Sequence, residues 1–240
     1  MGSDLFKFKQ FAVHQGHCAM KVGTDGVILG AWASIENNPV RILDVGTGTG
    51  LIALMLAQRA EGAEVDAVEI DKEAAREAYQ NFEASPFHNR LQVFNADFQT
   101  FSKLRRVRYD LIVSNPPYFN GTYKSENAQR AAARHREALP FDDLIDGVLR
   151  VINRDGGRFV AIFPYIDAAV FIAKAASKGL YCNRILEVFP REGKSVKRFV
   201  GEFSLTQSAE AQIERLVVSG TDNLYTDDYK ALTTNFYLRF

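Results

Sequence analysis

The sequence predicts an α/β fold built on a doubly wound, mostly parallel sheet. Short apolar runs alternate with amphipathic segments along most of the chain, as in successive βαβ units. One of these runs ends in a glycine-rich turn at 44–50, which opens directly into an amphipathic segment. No repeat or linker interrupts the 240 residues, a length at the upper end for one domain.

Seven strands are expected in this sheet. Five of them are apolar runs that span 41–45, 64–70, 91–95, 109–114 and 158–163. Helices are expected at 51–59, 72–83, 142–152 and 166–177. The last two strands, 184–190 and 198–205, flank a charged loop and predict an antiparallel hairpin that closes the sheet.

The chain is expected to form a single domain over 1–240. The core, 36–206, carries the sheet. An extension with a strand and a helix precedes it at 5–35, where apolar residues alternate and a helix begins near Thr24. A C-terminal strand and helix follow at 207–240.

Composition and charge exclude several classes of protein. The chain is 47% hydrophobic and 24% charged, which excludes a disordered or fibrous protein. No apolar run of about 18 residues occurs and no basic, apolar leader is present, so we expect a cytoplasmic protein without a membrane span. The 29 basic and 29 acidic residues balance, which excludes a globally basic nucleic-acid binder. Two cysteines without a CxxC spacing favour neither a zinc cluster nor a disulfide framework.

The turn from Asp44 to Gly50 has the features of a ligand-binding loop. Glycines at 46, 48 and 50 let the backbone approach a ligand, and the helix that follows offers unpaired N–H groups. Leu51 stands where a dinucleotide fingerprint needs its third glycine, which disfavours an oxidoreductase. Glu69 ends the next strand and can accept hydrogen bonds from ribose hydroxyls.

This turn resembles the first motif of class I S-adenosylmethionine-dependent methyltransferases. The resemblance implies that S-adenosylmethionine lies against Asp44, Gly46, Gly48 and Gly50. It also implies that Glu69 and the adjacent Ile70 hold the ribose side of the cofactor, and that Asp97 and the adjacent Phe98 hold its adenine. The alternative for Asp97 is a helix cap.

A second motif, Asn115-Pro116-Pro117-Tyr118, ends the fourth strand, where α/β sheets bind ligands. Prolines offer carbonyl acceptors and no donors, and Asn115 adds a carboxamide oxygen. Acceptors at Asn115 and Pro116 suit an exocyclic NH2, whose nitrogen they would make more nucleophilic, and Tyr118 offers a ring on which a flipped base can stack. The motif resembles that of amino-methyltransferases acting on adenine N6, guanine N2 or glutamine N5, so Asn115, Pro116 and Tyr118 are the candidate catalytic residues.

Most of the chain, about 5–240, resembles the bacterial tRNA1(Val) adenine N6-methyltransferases. The resemblance rests on 21–32, on Asn115 to Phe119 with 134–141 after it, and on 225–238. It implies a tRNA substrate methylated at the adenine 3′ of the anticodon, and it places Lys21, Thr24, Asp25 and Asn115 near the cofactor. An rRNA guanine-N2 or release-factor glutamine-N5 methyltransferase remains an alternative, as does a nucleotide-binding module without catalysis.

An RNA partner requires local basic groups, since the net charge is zero. The candidates are two clusters and one aromatic residue of the base pocket, namely Arg130, Arg134 and Arg136; Lys194, Lys197 and Arg198; and Phe119. His14 and His17 lack a third ligand nearby, so we expect no metal. The sequence does not predict the oligomeric state.

Overall fold

A computed structural model describes residues 4–16, 18, 21–116 and 139–239. The strands are β1 Leu5–Lys7, β2 Ala12–His14, β3 Arg41–Val45, β4 Glu64–Glu69, β5 Leu91–Asn95, β6 Leu111–Ser114, β7 Arg158–Pro164, β8 Tyr181–Arg191, β9 Arg198–Ser204 and β10 Gln212–Ser219. The helices are α1 Thr24–Trp32, α2 Leu51–Arg59, α3 Lys72–Glu83, α4 Phe98–Leu104, α5 Phe141–Val151, α6 Tyr165–Ser177 and α7 Asp227–Thr233.

The central sheet has the strand order β10-β8-β9-β7-β6-β3-β4-β5. All neighbouring pairs are parallel except the two that involve β9, which runs antiparallel to both β7 and β8. The predicted fold class and the antiparallel hairpin, β8 with β9, are confirmed.

The predicted count of seven strands is wrong by one, because β10 joins the sheet as an eighth strand. It pairs in parallel with β8 over 212–219, on the side of β8 that faces away from β9. The connection from β9 to β10 therefore passes β8 instead of forming a hairpin. Alternation in the sequence marks a strand but does not identify its neighbour, so this pairing was not predicted.

Helices cover both faces of the sheet and form two hydrophobic clusters with it. One face packs α1, α2, α3 and α7 against the strands, and the other packs α4, α5 and α6. Successive residues of a central strand point into opposite clusters, as Ile42 and Leu43 do, and both are fully buried. Burial on both faces explains why these strands are continuous apolar runs.

The N- and C-terminal extensions pack against each other and against the first cluster. In the β1–β2 hairpin, the Phe8 ring stacks on Tyr237 at 5.9 Å, and Lys9 N–H donates to the Phe236 carbonyl at 2.8 Å. Trp32 of α1 and Tyr229 of α7 belong to the same cluster. Both extensions thus share one core with the central strands.

Within the described ranges, no helix is long and apolar enough to cross a membrane. The same residues contain no group of three or more His, Cys, Asp or Glu side chains arranged to hold a metal ion.

Candidate active site

The glycine-rich turn between β3 and α2 has a backbone conformation that favours glycine at three positions. Gly46, Gly48 and Gly50 have φ values of 72°, 57° and 84°, in the left-handed region. A Cβ on Gly50 would also lie 2.5 Å from the Phe82 ring, whereas one on Gly46 would meet nothing within 4 Å. The backbone N–H groups of Gly46 and Thr47 bind the Val68 carbonyl, which fixes the turn to β4. The turn is thus tied to β4 and leaves open space at Gly46.

Asp44 lies fully buried beneath this turn. Its Oδ2 accepts hydrogen bonds from Thr47 Oγ1 at 2.6 Å and from Ala53 N–H at 3.2 Å. Its Oδ1 is buried without a hydrogen-bond partner in the described structure. Burial raises the pKa of the Asp44 carboxyl to about 7. Such an oxygen is suited to a donor or cationic group of a ligand.

Glu69 ends β4 directly beside the turn. One carboxylate oxygen accepts from Gly48 N–H at 2.8 Å and the other from Asp71 N–H at 2.9 Å. These bonds orient the carboxylate, and each oxygen keeps a second lone pair for ligand hydroxyls. Burial raises the pKa of Glu69. The next residue, Ile70, is 51% exposed, an apolar side chain placed at the strand end.

Asp97 forms the N-cap of α4, the alternative that the sequence left open. Its Oδ1 accepts from Thr100 N–H at 2.8 Å, and this bond lowers the pKa of Asp97. The Phe98 side chain lies in the core, so close to α5 that a Cβ on Gly147 would be 2.3 Å from its ring. The Phe98 ring is thus part of the core, and its predicted contact with the cofactor stays a prediction.

Asn95 was not predicted, and it joins two of the predicted positions. Its side-chain amide donates to the backbone carbonyls of Glu69 and Ile70 at 2.9 and 3.1 Å. The end of β5 is thereby held against the end of β4. The sequence signal for such a link is an asparagine at the end of one strand, Asn95 of β5, and a glutamate at the end of the preceding strand, Glu69 of β4.

The second motif begins beside the glycine turn. Ser114 of β6 is in register with Val45 of β3, and its Oγ donates to the Val45 carbonyl at 2.9 Å. Asn115 and the buried Pro116 follow at the carboxyl end of β6. The predicted residues Tyr118 and Phe119 lie outside the described residues, and so do Arg130, Arg134 and Arg136.

Three predicted cofactor residues lie at or just before the start of α1. Lys21 forms an exposed ion pair with Asp4 at 3.6 Å, and Thr24 is the first residue of the helix. Asp25 binds Arg198 Nε at 2.7 Å and so connects α1 to the start of β9. Arg198, predicted to contact RNA, is thus also an ion-pair partner of Asp25.

Sequence reasoning missed two buried polar residues of α3, Glu77 and Asn81. Glu77 accepts the N–H groups of Gly16 and Cys18 at 2.7 and 2.9 Å. The Asn81 amide donates to the carbonyls of His14 and Thr49, both at 2.9 Å, and its oxygen accepts from His14 N–H.

Together these two side chains hold the segment from His14 to Cys18 against the glycine turn. Cys18 Sγ lies 3.5 Å from the position that a Cβ on Gly48 would occupy. The sequence carries one signal for the burial of these two side chains. Glu77 and Asn81 are four residues apart and lie beside the apolar stripe of α3 that Ala74, Ala78 and Phe82 form.

Known proteins similar to this chain are methyltransferases. Residues 32–152 match the family model described as the methyltransferase small domain. A tRNA1(Val) (adenine(37)-N6)-methyltransferase of Flavobacterium johnsoniae is 43% identical over 98% of this chain and all of its own length. One of the same description from Bacteroides fragilis is 43% identical over the full length of both. The chain belongs to this family.

The fold of this methyltransferase is also found in a solved structure. A protein of Agrobacterium tumefaciens, described as a predicted O-methyltransferase, superposes with a TM-score of 0.70 at 23% identity. The match covers 88% of this chain and 96% of that one.

The methyltransferase depends on S-adenosylmethionine, and the residues of the site fit this cofactor. The buried Asp44 Oδ1 without a partner suits its positively charged methionine part. Glu69 keeps lone pairs for the two ribose hydroxyls, and the turn leaves open space at Gly46. The individual contacts remain predictions, which substitutions can test.

Replacing Glu69 by alanine should weaken S-adenosylmethionine binding by about 1.5–3 kcal/mol, the usual loss for hydrogen bonds to a charged group. Isothermal titration calorimetry measures the change. Glu73→Ala, an exposed carboxylate in the first turn of α3, is the matched control and should bind as the parent does. Equal affinities for the parent and Glu69→Ala would remove Glu69 from the cofactor site.

Replacing Asn81 by alanine should release the segment over the glycine turn and raise the KM for S-adenosylmethionine about tenfold, with a smaller change in kcat. Alanine removes three hydrogen bonds, and a tenfold change equals about 1.4 kcal/mol, the net contribution of about one of them. Gln80→Ala removes an exposed amide from the same helix and serves as the control. A Tm loss without any change in KM would make Asn81 purely structural.

Proposed function

We propose that this methyltransferase transfers a methyl group to the exocyclic N6 amine of an adenine in tRNA. The proposed target is the adenine 3′ of the anticodon of a valine tRNA, the substrate named for the relatives. The observation that carries the proposal is the position of Asn115 and Pro116, which follow β6 at the point where β6 lies beside the glycine turn. A tRNA substrate also places the reaction in the cytoplasm.

The chemistry requires a more nucleophilic amine. The lone pair of an adenine amine is delocalised into its ring, and hydrogen bonds from its two N–H groups to acceptors return density to the nitrogen. The Asn115 carboxamide oxygen and the Pro116 carbonyl are the acceptors that we propose for these two bonds. The bonds strengthen as positive charge develops on nitrogen, so they favour the transition state.

S-adenosylmethionine supplies the methyl group from its sulfonium. Asp44 and Glu69 hold the cofactor on the β3 and β4 side of the site, and Asn115 holds the amine on the β6 side. Positioning the two reactants beside each other accounts for much of the rate enhancement. The proton of the amine can leave to solvent after the transfer, so the mechanism assigns no general base.

Mass spectrometry of nucleosides from the RNAs and of peptides from the release factor distinguishes this function from the alternatives that share the Asn115 motif. The protein is incubated with methyl-labelled cofactor and, separately, with bulk tRNA, ribosomal RNA and release factor. We expect labelled N6-methyladenosine in tRNA only, and no label in a valine tRNA whose adenine 3′ of the anticodon is replaced by guanine. Labelled N2-methylguanosine or methylglutamine would instead establish one of the alternatives, and no label in any arm would favour a nucleotide-binding module.

A further inference from the structure

One face of the sheet is left open at β10 in the part of the chain that the structure describes: no residue of β10 joins the second hydrophobic cluster, and α6 reaches this end at β8, where Tyr165 binds Glu187. The opposite face of β10 is covered, since Leu216 and Val218 pack in the core with Tyr229 of α7. On the open face, Ile213 is 67% exposed and Arg215 is exposed. Glu187 and Phe189 of β8 lie on this face beside Arg215 and Val217.

Arg215 is prearranged on this face. Its guanidinium stacks over the Phe189 ring, with 4.2 Å between the central carbon and the ring centroid. Among the described residues, no carboxylate forms an ion pair with it, and the acidic neighbour Glu187 accepts a hydrogen bond from the Tyr165 hydroxyl. A guanidinium that contacts a ring through its central carbon keeps N–H groups available for a phosphate.

The open face lies at the same edge of the sheet as Asn115. Across the sheet, Arg215 pairs with Glu187, Glu187 with Phe199, and Phe199 with Phe163 of β7. Phe163 comes two residues after Ala161, which is the partner of Ser114. The hairpin loop between β8 and β9 lies at this edge too and carries the exposed Lys194 and Lys197. Three exposed cations at this edge, Lys194, Lys197 and Arg215, have no carboxylate in ion-pair contact among the described residues, whereas Arg198 is paired with Asp25. Glu187, Glu192 and Asp222 are the acidic side chains nearest to them in the sheet and its turns.

From these observations we infer that the open face at β10, with Arg215 on Phe189 of β8 and Lys194 and Lys197 beside it, binds the phosphate backbone of the tRNA substrate. Four strand spacings separate β10 from β6, which amounts to about 19 Å. A molecule that fills both places must extend well beyond the reacting base, as an RNA does and a free nucleoside does not. The inference rests on the proposed function and adds the path of the RNA to it.

The salt dependence of tRNA binding tests this surface. The triple variant Lys194→Ala, Lys197→Ala, Arg215→Ala should reduce the log–log slope of affinity against salt by roughly 2–3, because three phosphate contacts are lost. Cofactor affinity should not change. The control removes three arginines near the opposite edge of the sheet, Arg106→Ala, Arg108→Ala and Arg154→Ala, and should keep the parent slope.

A double-mutant cycle tests the role of the ring. Phe189→Leu should weaken tRNA binding about two- to fivefold in the parent, the scale of an exposed cation–π contact, and less when Arg215 is already alanine. Methylation of tRNA by the unmodified protein is measured in parallel. If it methylates tRNA while the triple variant keeps the parent slope, or the control loses more, the surface is wrong and the proposed function stands. If the unmodified protein neither binds nor methylates tRNA, the surface and the proposed function are both wrong. A change in oligomeric state in the triple variant would make this face a subunit interface instead.

Discussion

Replacing Asn115 by alanine should lower kcat by roughly 10²–10³, the scale of losing one preorganised polar partner of the transition state. The affinity for S-adenosylmethionine should change little, because the cofactor residues Asp44 and Glu69 lie at the ends of β3 and β4. Single-turnover methyl transfer to tRNA at saturating cofactor measures the effect on the chemical step, and calorimetry measures the affinity.

Two further variants separate the role of the acceptor oxygen from a structural one. Asn115→Asp keeps an oxygen that can accept from the amine and should retain more activity than Asn115→Ala. Asn37→Ala removes an exposed amide that precedes β3, at the opposite edge of the sheet from Asn115, and should leave kcat unchanged. Methylation by Asn115→Ala at the parent rate would show that the amine needs no acceptor at this position.

The sequence was sufficient to predict the fold class and the placement of the two motifs, because both follow from local patterns. Apolar runs of five or six residues bounded by turns predict buried strands. Glycines at 46, 48 and 50, all with left-handed backbone, mark a turn that most other residues would strain. Each motif follows a strand, so the topology brings both to one edge of the sheet.

Long-range pairing accounts for what the sequence did not predict. Arg198 was predicted to contact RNA, and no local pattern indicates that it binds Asp25, which lies 173 residues away. Asn81 lies beside the apolar stripe of α3, but nothing in the sequence identifies His14 and Thr49 as its partners. Phe98 follows an acidic residue in the expected pattern, but its ring packs on Gly147. Such partners depend on tertiary packing, which a single sequence does not display.

Asp44→Asn is expected to separate stability from cofactor binding. Both hydrogen bonds to Asp44 arrive at Oδ2, so an asparagine whose oxygen takes that position keeps them and removes the charge. Loss of a buried charge partner should weaken S-adenosylmethionine binding by about 3–5 kcal/mol, or roughly 10²- to 5 × 10³-fold. Calorimetry at pH 8 measures this loss.

The same substitution should raise the Tm of the cofactor-free protein at pH 8. Burial holds the pKa of Asp44 at about 7, above its ordinary value of 3.8, so the folded state disfavours the carboxylate. A carboxyl with a raised pKa contributes its full stability below pH 4, and this contribution is lost as the pH rises through about 7. Asparagine does not ionise, so the variant should exceed the parent in Tm at pH 8 and match it near pH 4.

Cofactor binding should depend on pH in the opposite direction to stability. The charged form of Asp44 is the one that suits a cationic partner, so the affinity of the parent for S-adenosylmethionine should fall as the pH drops from 8 to 6, by up to about tenfold per unit below pH 7. The affinity of Asp44→Asn should be weak and nearly flat over the same range. Glu69 also has a raised pKa, and Glu69→Ala should retain the fall with pH if Asp44 is its cause. A parent affinity that does not change between pH 8 and 6 would show that the Asp44 carboxylate takes no part in holding the cofactor.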